Sequence, residues 1–451
     1  MGPRTPGPAY NGRPERPARP EVRAKVSQAV FIVDAARTPF LKARGRPGPF
    51  SAADLATACG AQLLARQPFA PDALDGVILG CTSPAADEAN IARIAALRMG
   101  CGHRMPAWTT QRNCASGLQA IDSACAEIRL GRAGLVLAGG VDALSRTPLL
   151  LSDAFVGWLS EWRTSGLLRR LRLLGRLRPS ALSPVTGLER GLTDPVVGQL
   201  MGQTAENLAS RFAITREAMD AWALRSHARA ADAREAGRFS GIVPLIDAEG
   251  RLHDRDDGIR PDSTAADLAR LKPFFDRKYG NVTVGNSSQV SDGAGWLLLA
   301  SEEAVERHGL APLARIVDCE WAALDPALMG LGPVHATAPL LARNSLSMAD
   351  VGLWEIHEAF SAQLLACLAA WEDEDYCREE LGIDGGGVAP PHNRINVDGG
   401  AIALGHPAGA TGPRLVMQLV DAMRREGVRL GVATLCVGGG QGGAMLIEAV
   451  R

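Results

Sequence analysis

The sequence predicts an α/β protein built from central sheets with helices laid against them. Two observations carry this. Short apolar runs alternate with helical patterns through residues 28–146, the pattern of strands feeding helices. The same grammar resumes near residue 290 and continues to the C-terminus, and a charge-rich, mainly helical stretch at 147–289 separates the two. With 451 residues, 46% of them hydrophobic, the chain is long enough for a doubled core plus an insertion.

Taken in order, residues 1–27 are rich in Pro, Arg and Gly and are expected to form a solvated, disordered tail. Residues 29–33 form a buried strand, and residues 35–40 a loop. Ser51 N-caps a helix over 51–64. A strand is expected at 76–80, a helix at 88–99, a strand at 107–110, a long helix from just after Cys114 to about Leu130, and a strand at 134–140. The insertion carries helices at 205–212 and 216–236, and the strand pattern returns at 293–300. Residues 355–361 open a helix, and Cys436 ends a strand begun at Val432. A first core half at 28–146 plus 290–304, an inserted domain at 147–289 and a second half at 305–451 follow from this division. The halves share a weak repeat: a glycine-flanked reactive residue precedes a helix, and a glycine-bounded strand comes later.

Composition excludes several functions. Forty-eight basic against 49 acidic residues leave no overall positive field, which argues against a nucleic-acid binder. The 9 cysteines are scattered and never in Cys-x-x-Cys spacing, so neither a metal site nor a redox pair is expected and a reducing, cytoplasmic compartment fits. Residues 1–27 lack the apolar core of a secretory signal, and no run of about 18 apolar residues exists to span a bilayer.

Chemistry concentrates in four segments. Cys114 lies in Asn113-Cys114-Ala115-Ser116-Gly117, between a strand and a helix start, where free N–H groups and the positive dipole end are expected to lower its thiol pKa. His406 lies in Gly405-His406-Pro407, and imidazole is the natural base for a thiol. Cys436 precedes Gly438, whose N–H is a candidate oxyanion donor. The glycine run at 438–443 is also compatible with a phosphate loop, but neither the Lys-Ser/Thr of such a loop nor a later acidic partner follows. His357 and Glu358, in Glu355-Ile356-His357-Glu358-Ala359-Phe360, could position water or a substrate carbonyl.

In this order the segments resemble the thiolase family (acetyl-CoA C-acyltransferases) over roughly residues 28–451. Gly139-Gly140-Val141-Asp142-Ala143-Leu144-Ser145, Met201-Gly202-Gln203-Thr204-Ala205-Glu206-Asn207, the stretch from Gly285 to Ala294 and Met329-Gly330-Leu331-Gly332-Pro333-Val334 add to the resemblance, with departures at Asp142 and Leu144. It implies a duplicated five-layered α/β/α/β/α fold with a loop domain over the active site, and a homodimer or tetramer. It implies Cys114 as acylated nucleophile, His406 as its base, Cys436 as acid/base of the second half-reaction, and Met201 and Ser288 along a coenzyme A channel. Coenzyme A is then a substrate, and no cofactor is permanently bound. Where many thiolases have Asn-Glu-Ala-Phe, this chain has His357-Glu358-Ala359-Phe360, similar to the thiolase subunit of trifunctional fatty-acid oxidation complexes. That variant implies that His357 shares an oxyanion site with His406, that the direction is thiolysis of 3-oxoacyl-CoA in β-oxidation, and that a hydratase/dehydrogenase subunit is a partner. The glycine run around His406 is closer to short-chain thiolases, so biosynthetic condensation of two acetyl-CoA stays open, as does a non-catalytic acyl-CoA or lipid carrier. Residues 162–178, rich in Leu and Arg, read as one basic amphipathic helix facing an anionic membrane, a partner subunit or its own loop domain.

Overall fold

The computed structural model describes residues 28–383 and 387–450; the expected tail at 1–27 lies outside them. Five long strands form the first half: β1 (Val30–Arg37), β2 (Gly76–Gly80), β3 (Ala107–Thr110), β4 (Leu135–Ala143) and β5 (Ser291–Ser301), in spatial order β3-β2-β4-β5-β1, with the two-residue strand Leu41–Lys42 also paired to β5. Four form the second: β6 (Ala314–Ala323), β7 (Leu353–Ile356), β8 (Leu430–Val437) and β9 (Gln441–Ala449), in order β7-β8-β9-β6. Antiparallel pairing of β1 with β6 joins the two.

The second half repeats β2, β4, β5 and β1 of the first as β7, β8, β9 and β6, and β3 has no counterpart in it. β2 and β4 pair in parallel, as do β7 and β8; β4–β5 and β1–β5 are antiparallel, as are β8–β9 and β6–β9. The ladder slips between Ile32 and Asp34 in β1, and between Ile316 and Asp318 in β6. Both slips fall on an Ile-Val-Asp triplet, and in each the Asp carboxylate accepts the next N–H, from Ala35 at 2.8 Å and from Cys319 at 2.9 Å.

Strand residues alternate between two cores, the signature of sheets covered on both faces. In the first half Val77, Leu79, Leu137, Trp296 and Leu298 face an outer core shared with the helices Ala52–Ala65 and Ile91–Arg98. Ile78, Val136, Ala138, Leu297 and Leu299 face the middle of the molecule. There they meet Ala433, Leu435, Met445 and Ile447 of the second sheet across two central helices, Ser116–Arg129 and Ala408–Glu426. Val432, Ala444 and Leu446 turn outward onto the helices Gly332–Arg343 and Ser361–Glu372. The result is five layers, helix-sheet-helix-sheet-helix.

Four local expectations are corrected. Residues 35–37 are strand, because they continue the β1–β5 ladder past the bulge. The second helix begins only at Ile91, where Asn90 accepts the Arg93 N–H as an N-cap. Residues 355–356 close β7 and the helix starts at Ser361, so His357 and Glu358 sit on the connection between them. Residues 162–178 are not one helix: the chain forms Asp153–Thr164, breaks at Ser165-Gly166, and forms Leu167–Leu174.

Within 147–289 the helices Met201–Arg211 and Arg216–Glu235 share cores with the second half, through Leu208 and Trp222 beside Trp371, and Ala205 and Met219 beside Met329 and Phe360. A buried ion pair ties the same insertion to β1. Both Arg37 Nη atoms meet the Asp256 carboxylate at 2.7 Å, and the Phe40 N–H donates to it at 2.7 Å. Removing one partner of a buried pair strands the other charge and costs about 3 kcal/mol or more. Asp256→Asn is therefore expected to lower the urea midpoint at unchanged slope; an unchanged midpoint would show that the pair is not holding the insertion.

Candidate active site

Asn113, the residue before Cys114, sits in the left-handed region at φ 43°. Its amide donates to Gly438 O at 2.7 Å, which ties the turn to the end of β8. The Ser116 hydroxyl closes the turn, accepting the Arg112 N–H at 2.9 Å and donating to Asn113 O at 2.6 Å. This tight bend lifts Cys114 off the end of β3 just before the first central helix. The Gly438 N–H acts to lower the pKa of the half-buried Cys114 thiol, and the buried Cys436 thiol lies within electrostatic reach of it.

His406 is delivered by the second central helix. Gly405 before it has φ 106°, and a Cβ there would run into the Ser291 side chain, so only glycine suits the turn. The His406 N–H donates to Gln289 O at 2.9 Å. Its Nδ1 lies 2.6 Å from Thr411 Oγ1, and that hydroxyl spends its proton on Pro407 O at 3.0 Å. Nδ1 therefore carries the ring proton and Nε2 keeps a free lone pair.

His357 stacks on His406 with ring centroids 4.2 Å apart, and its N–H donates to Thr434 O at 2.9 Å. Both of its ring nitrogens are buried without a hydrogen-bond partner among the described residues, so one N–H stays available to a ligand oxygen. Glu358 does not share that freedom. Its carboxylate accepts from Trp222 Nε1 at 3.0 Å, Ser226 Oγ at 2.7 Å and Asn396 Nδ2 at 2.8 Å, and it braces the site rather than positioning water or substrate.

Met201 and Ser288 border the same cluster. The Met201 sulfur is 3.2 Å from where a Gly438 Cβ would stand. The Ser288 N–H donates to Ala359 O at 2.9 Å, between bridges from Ser287 to Phe360 and from Val290 to His406. The structure thus gathers Cys114, His406, Cys436, His357, Gly438, Met201 and Ser288 around one place. Sequence reasoning missed three supports: Thr411, the buried Arg414–Glu355 pair at 2.9 Å, and Asp142. The Asp142 carboxylate accepts from Thr82 Oγ1 at 2.6 Å, from the Thr82 and Ser83 N–H groups at 3.0 Å, and from the Gly409 N–H at 2.6 Å. A carboxylate inside the apolar run of β4 was the available signal for it.

Burial dominates the electrostatics. It pushes the Cys114 thiol above its ordinary value against the pull of the Gly438 N–H, which overturns the expectation of a thiol lowered by the helix end. Burial also raises Cys436 well above the usual thiol range. It depresses His357 far below the usual imidazole range and, with the nearby Arg414 charge, takes His406 down to about 3. The resting site is therefore neutral, with its thiols and imidazoles uncharged. Alkylation of Cys114 by iodoacetamide, followed on its own peptide, is expected to climb about tenfold per pH unit through neutrality. A plateau near neutral pH would instead mean a preformed thiolate–imidazolium pair.

A family model described as the thiolase N-terminal domain matches residues 30–303, and one described as the thiolase C-terminal domain matches residues 310–449. The chain is 40% identical over 431 residues to a beta-ketoadipyl-CoA thiolase of Pseudomonas aeruginosa, an overlap of 94% of this chain and 100% of that protein. It is 36% identical over 434 residues to the mitochondrial trifunctional enzyme subunit beta of Bos taurus, covering 96% and 90%. The crystal structure of human mitochondrial 3-ketoacyl-CoA thiolase in complex with CoA superposes with a TM-score of 0.80 at 35% identity, covering 94% of this chain and 99% of that one. With two family models spanning its core and relatives matched along nearly their whole length, the chain belongs to the thiolase family.

Proposed function

We propose that the enzyme cleaves 3-oxoacyl-CoA with CoA, giving acetyl-CoA and a shortened acyl-CoA by way of an acyl-Cys114 intermediate. The observation that supports this is the Asn113–Cys114 turn held to Gly438 O at 2.7 Å, two residues beyond Cys436. His406 Nε2 takes the Cys114 proton as the sulfur attacks the 3-keto carbon. The oxyanion formed there is held by N–H donors, for which the Gly438 and Cys114 backbone groups are the candidates. Collapse breaks the carbon–carbon bond, and the electron pair leaves as the acetyl-CoA enolate. His357 and protonated His406 are the donors suited to that enolate oxygen, and Cys436 gives its proton to the enolate carbon. A thiol held so far above its usual pKa yields its proton only to a strong base such as an enolate. The thiolate left behind is basic enough to deprotonate incoming CoA, whose sulfur then removes the acyl group from Cys114. The segment 147–289 is the part that covers CoA in this reading, with Met201 and Ser288 along the channel.

The trifunctional relative favours fatty-acid oxidation and a hydratase/dehydrogenase partner, which co-purification from the source cell tests. The Pseudomonas aeruginosa relative favours the same chemistry on an acyl chain ending in a carboxylate. A panel of 3-oxoacyl-CoA esters separates these: activity confined to acetoacetyl-CoA would remove both and leave the biosynthetic thiolase.

Mass spectrometry after incubation with acetyl-CoA is expected to find one acetyl group on Cys114, absent from Cys114→Ala. No acetyl group on the wild-type protein would reduce it to an acyl-CoA binder. Cys436→Ala is expected to lose about a hundredfold or more in kcat while Cys114 still alkylates. Thr411→Val, which frees the His406 tautomer, is expected to lower kcat by about tenfold to a hundredfold with KM nearly unchanged. An unchanged kcat would mean that the Thr411 contact does not set the base.

A further inference from the structure

The two segments that deliver the stacked imidazoles also deliver a buried ion pair. Glu355 stands two residues before His357, in β7, and Arg414 eight residues after His406, on the second central helix. Trp354 and Ile356 face the outer core, so Glu355 faces the middle of the molecule, where its Oε2 accepts from Arg414 Nη1 at 2.9 Å. The two side chains are 1% and 2% exposed. The pair closes on one edge only: Arg414 Nε and Nη2 and Glu355 Oε1 are buried without a hydrogen-bond partner among the described residues. The Arg37–Asp256 pair differs, being joined through both Nη atoms at 2.7 Å. A two-pronged pair satisfies its cation locally, whereas a one-pronged pair leaves much of a permanently charged guanidinium turned toward other neighbours. Burial also pulls the Glu355 carboxyl up to about 8, which weakens it as a counter-ion.

The other charged groups around this core are already engaged. Glu358 accepts from Trp222, Ser226 and Asn396, and Arg37 and Asp256 hold each other. Asp398, which faces Glu355, is taken by Arg238 and Arg425. Asp142, on the Cys114 side, is filled by Thr82, Ser83 and Gly409. The groups left to feel Arg414 are the two imidazoles, His406 and His357, whose rings lie 4.2 Å apart. We propose that Arg414, half-paired with Glu355, is a positioning residue that keeps His406 and His357 free of extra protons in the resting enzyme, so that His406 stands ready to accept from Cys114 and soon passes on the proton it accepts. This rests on His406 being the base, as in the reaction proposed above.

Histidine-selective 15N NMR of the substrate-free, full-length enzyme reads this directly, with the His406 signal assigned by its loss in His406→Asn. Removing a like charge is worth about one to three pH units, enough to carry His406 from about 3 to near pH 5. His406 is therefore expected to be neutral at pH 5 in the wild type and about half protonated or more in Arg414→Gln. Because that substitution strands Glu355, the double variant Glu355→Gln/Arg414→Gln, which leaves neither charge, is made alongside and is expected to show the same protonation. Arg414→Lys and Glu355→Gln both keep the cation and are expected to leave His406 neutral. Loss of a mere brace would not sort the variants by charge, since each of them alters the same contact. Turnover follows the ring: the ratio of kcat at pH 5 to kcat at pH 7 is expected to fall about twofold or more below the wild-type ratio in the variants lacking the cation, and to be restored in Arg414→Lys. A neutral His406 at pH 5 in the double variant, or a protonated one in Glu355→Gln or Arg414→Lys, would overturn the inference. The spectra need no substrate, so an enzyme that failed to acetylate Cys114 would refute the proposed reaction and leave this result to be judged by itself.

Discussion

The close backbone approach of the two central helices is the constraint on which the site depends. Added Cβ atoms on Gly117 and Gly140 would overlap Gly409 O, and one on Gly412 would overlap the Leu118 backbone. Only glycine at these positions lets the helix starts touch each other and β4. Cys114 and His406 each lie two residues before one of those helices, so the crossing fixes both at once. Asp142 locks it, because one carboxylate holds the Thr82–Ser83 turn of the first half and the Gly409 N–H of the second. Enlarging any of these glycines would move reactive atoms, not merely loosen packing.

The neutral resting state follows from the same compactness. A site at the centre of five layers sheds water, and desolvation outweighs two N–H donors at Cys114. In the proposed mechanism nucleophile activation then coincides with attack, His406 taking the proton as the sulfur–carbon bond forms. Its Nε2 is available because Thr411 claims Nδ1. The high proton affinity of Cys436 is the counterpart: it resists ionisation until an enolate appears.

Much of this was legible in the residues. The alternation of apolar runs located β2 and β3 to the residue, since short buried strands bounded by Gly or a turn leave little room for slippage. The glycine setting of Cys114, His406 and Cys436 pointed to backbone contact, and close glycine contacts stand beside each. The misses were of two physical kinds. Elements that end by tertiary pairing escaped, as when residues 35–37 stayed in strand or His357 fell on a connection rather than a helix. Competing terms of one sign or another also escaped, because a helix end visible in sequence lowers a thiol pKa while burial, which opposes it, is visible only in the fold. The Ile-Val-Asp triplets of β1 and β6 were a repeat signal that could have been read and was not.

Those triplets bear on why the site is asymmetric although its scaffold is doubled. The last parallel pair is Gly80 with Gly140 in one half and Ile356 with Thr434 in the other. One residue past Gly80 and Ile356 stand Cys81 and His357; two past Gly140 and Thr434, still within β4 and β8, stand Asp142 and Cys436. The first half spends its positions on structure, with Cys81 and Asp142 in a buried hydrogen-bonded cluster. The second half has the imidazole of His357 and the thiol of Cys436 at the same positions. The left-handed asparagines show the reverse. Asn113, at φ 43°, presents the nucleophile, whereas Asn396, at φ 48°, turns its amide inward to the Ile356 backbone and Glu358. Because a pseudo-twofold sets the two copies face to face across the central helices, each half supplies what the other has given up. In the proposed mechanism a single half would hold either a nucleophile without its acid and base or an acid and base without a nucleophile, so that chemistry requires the duplication.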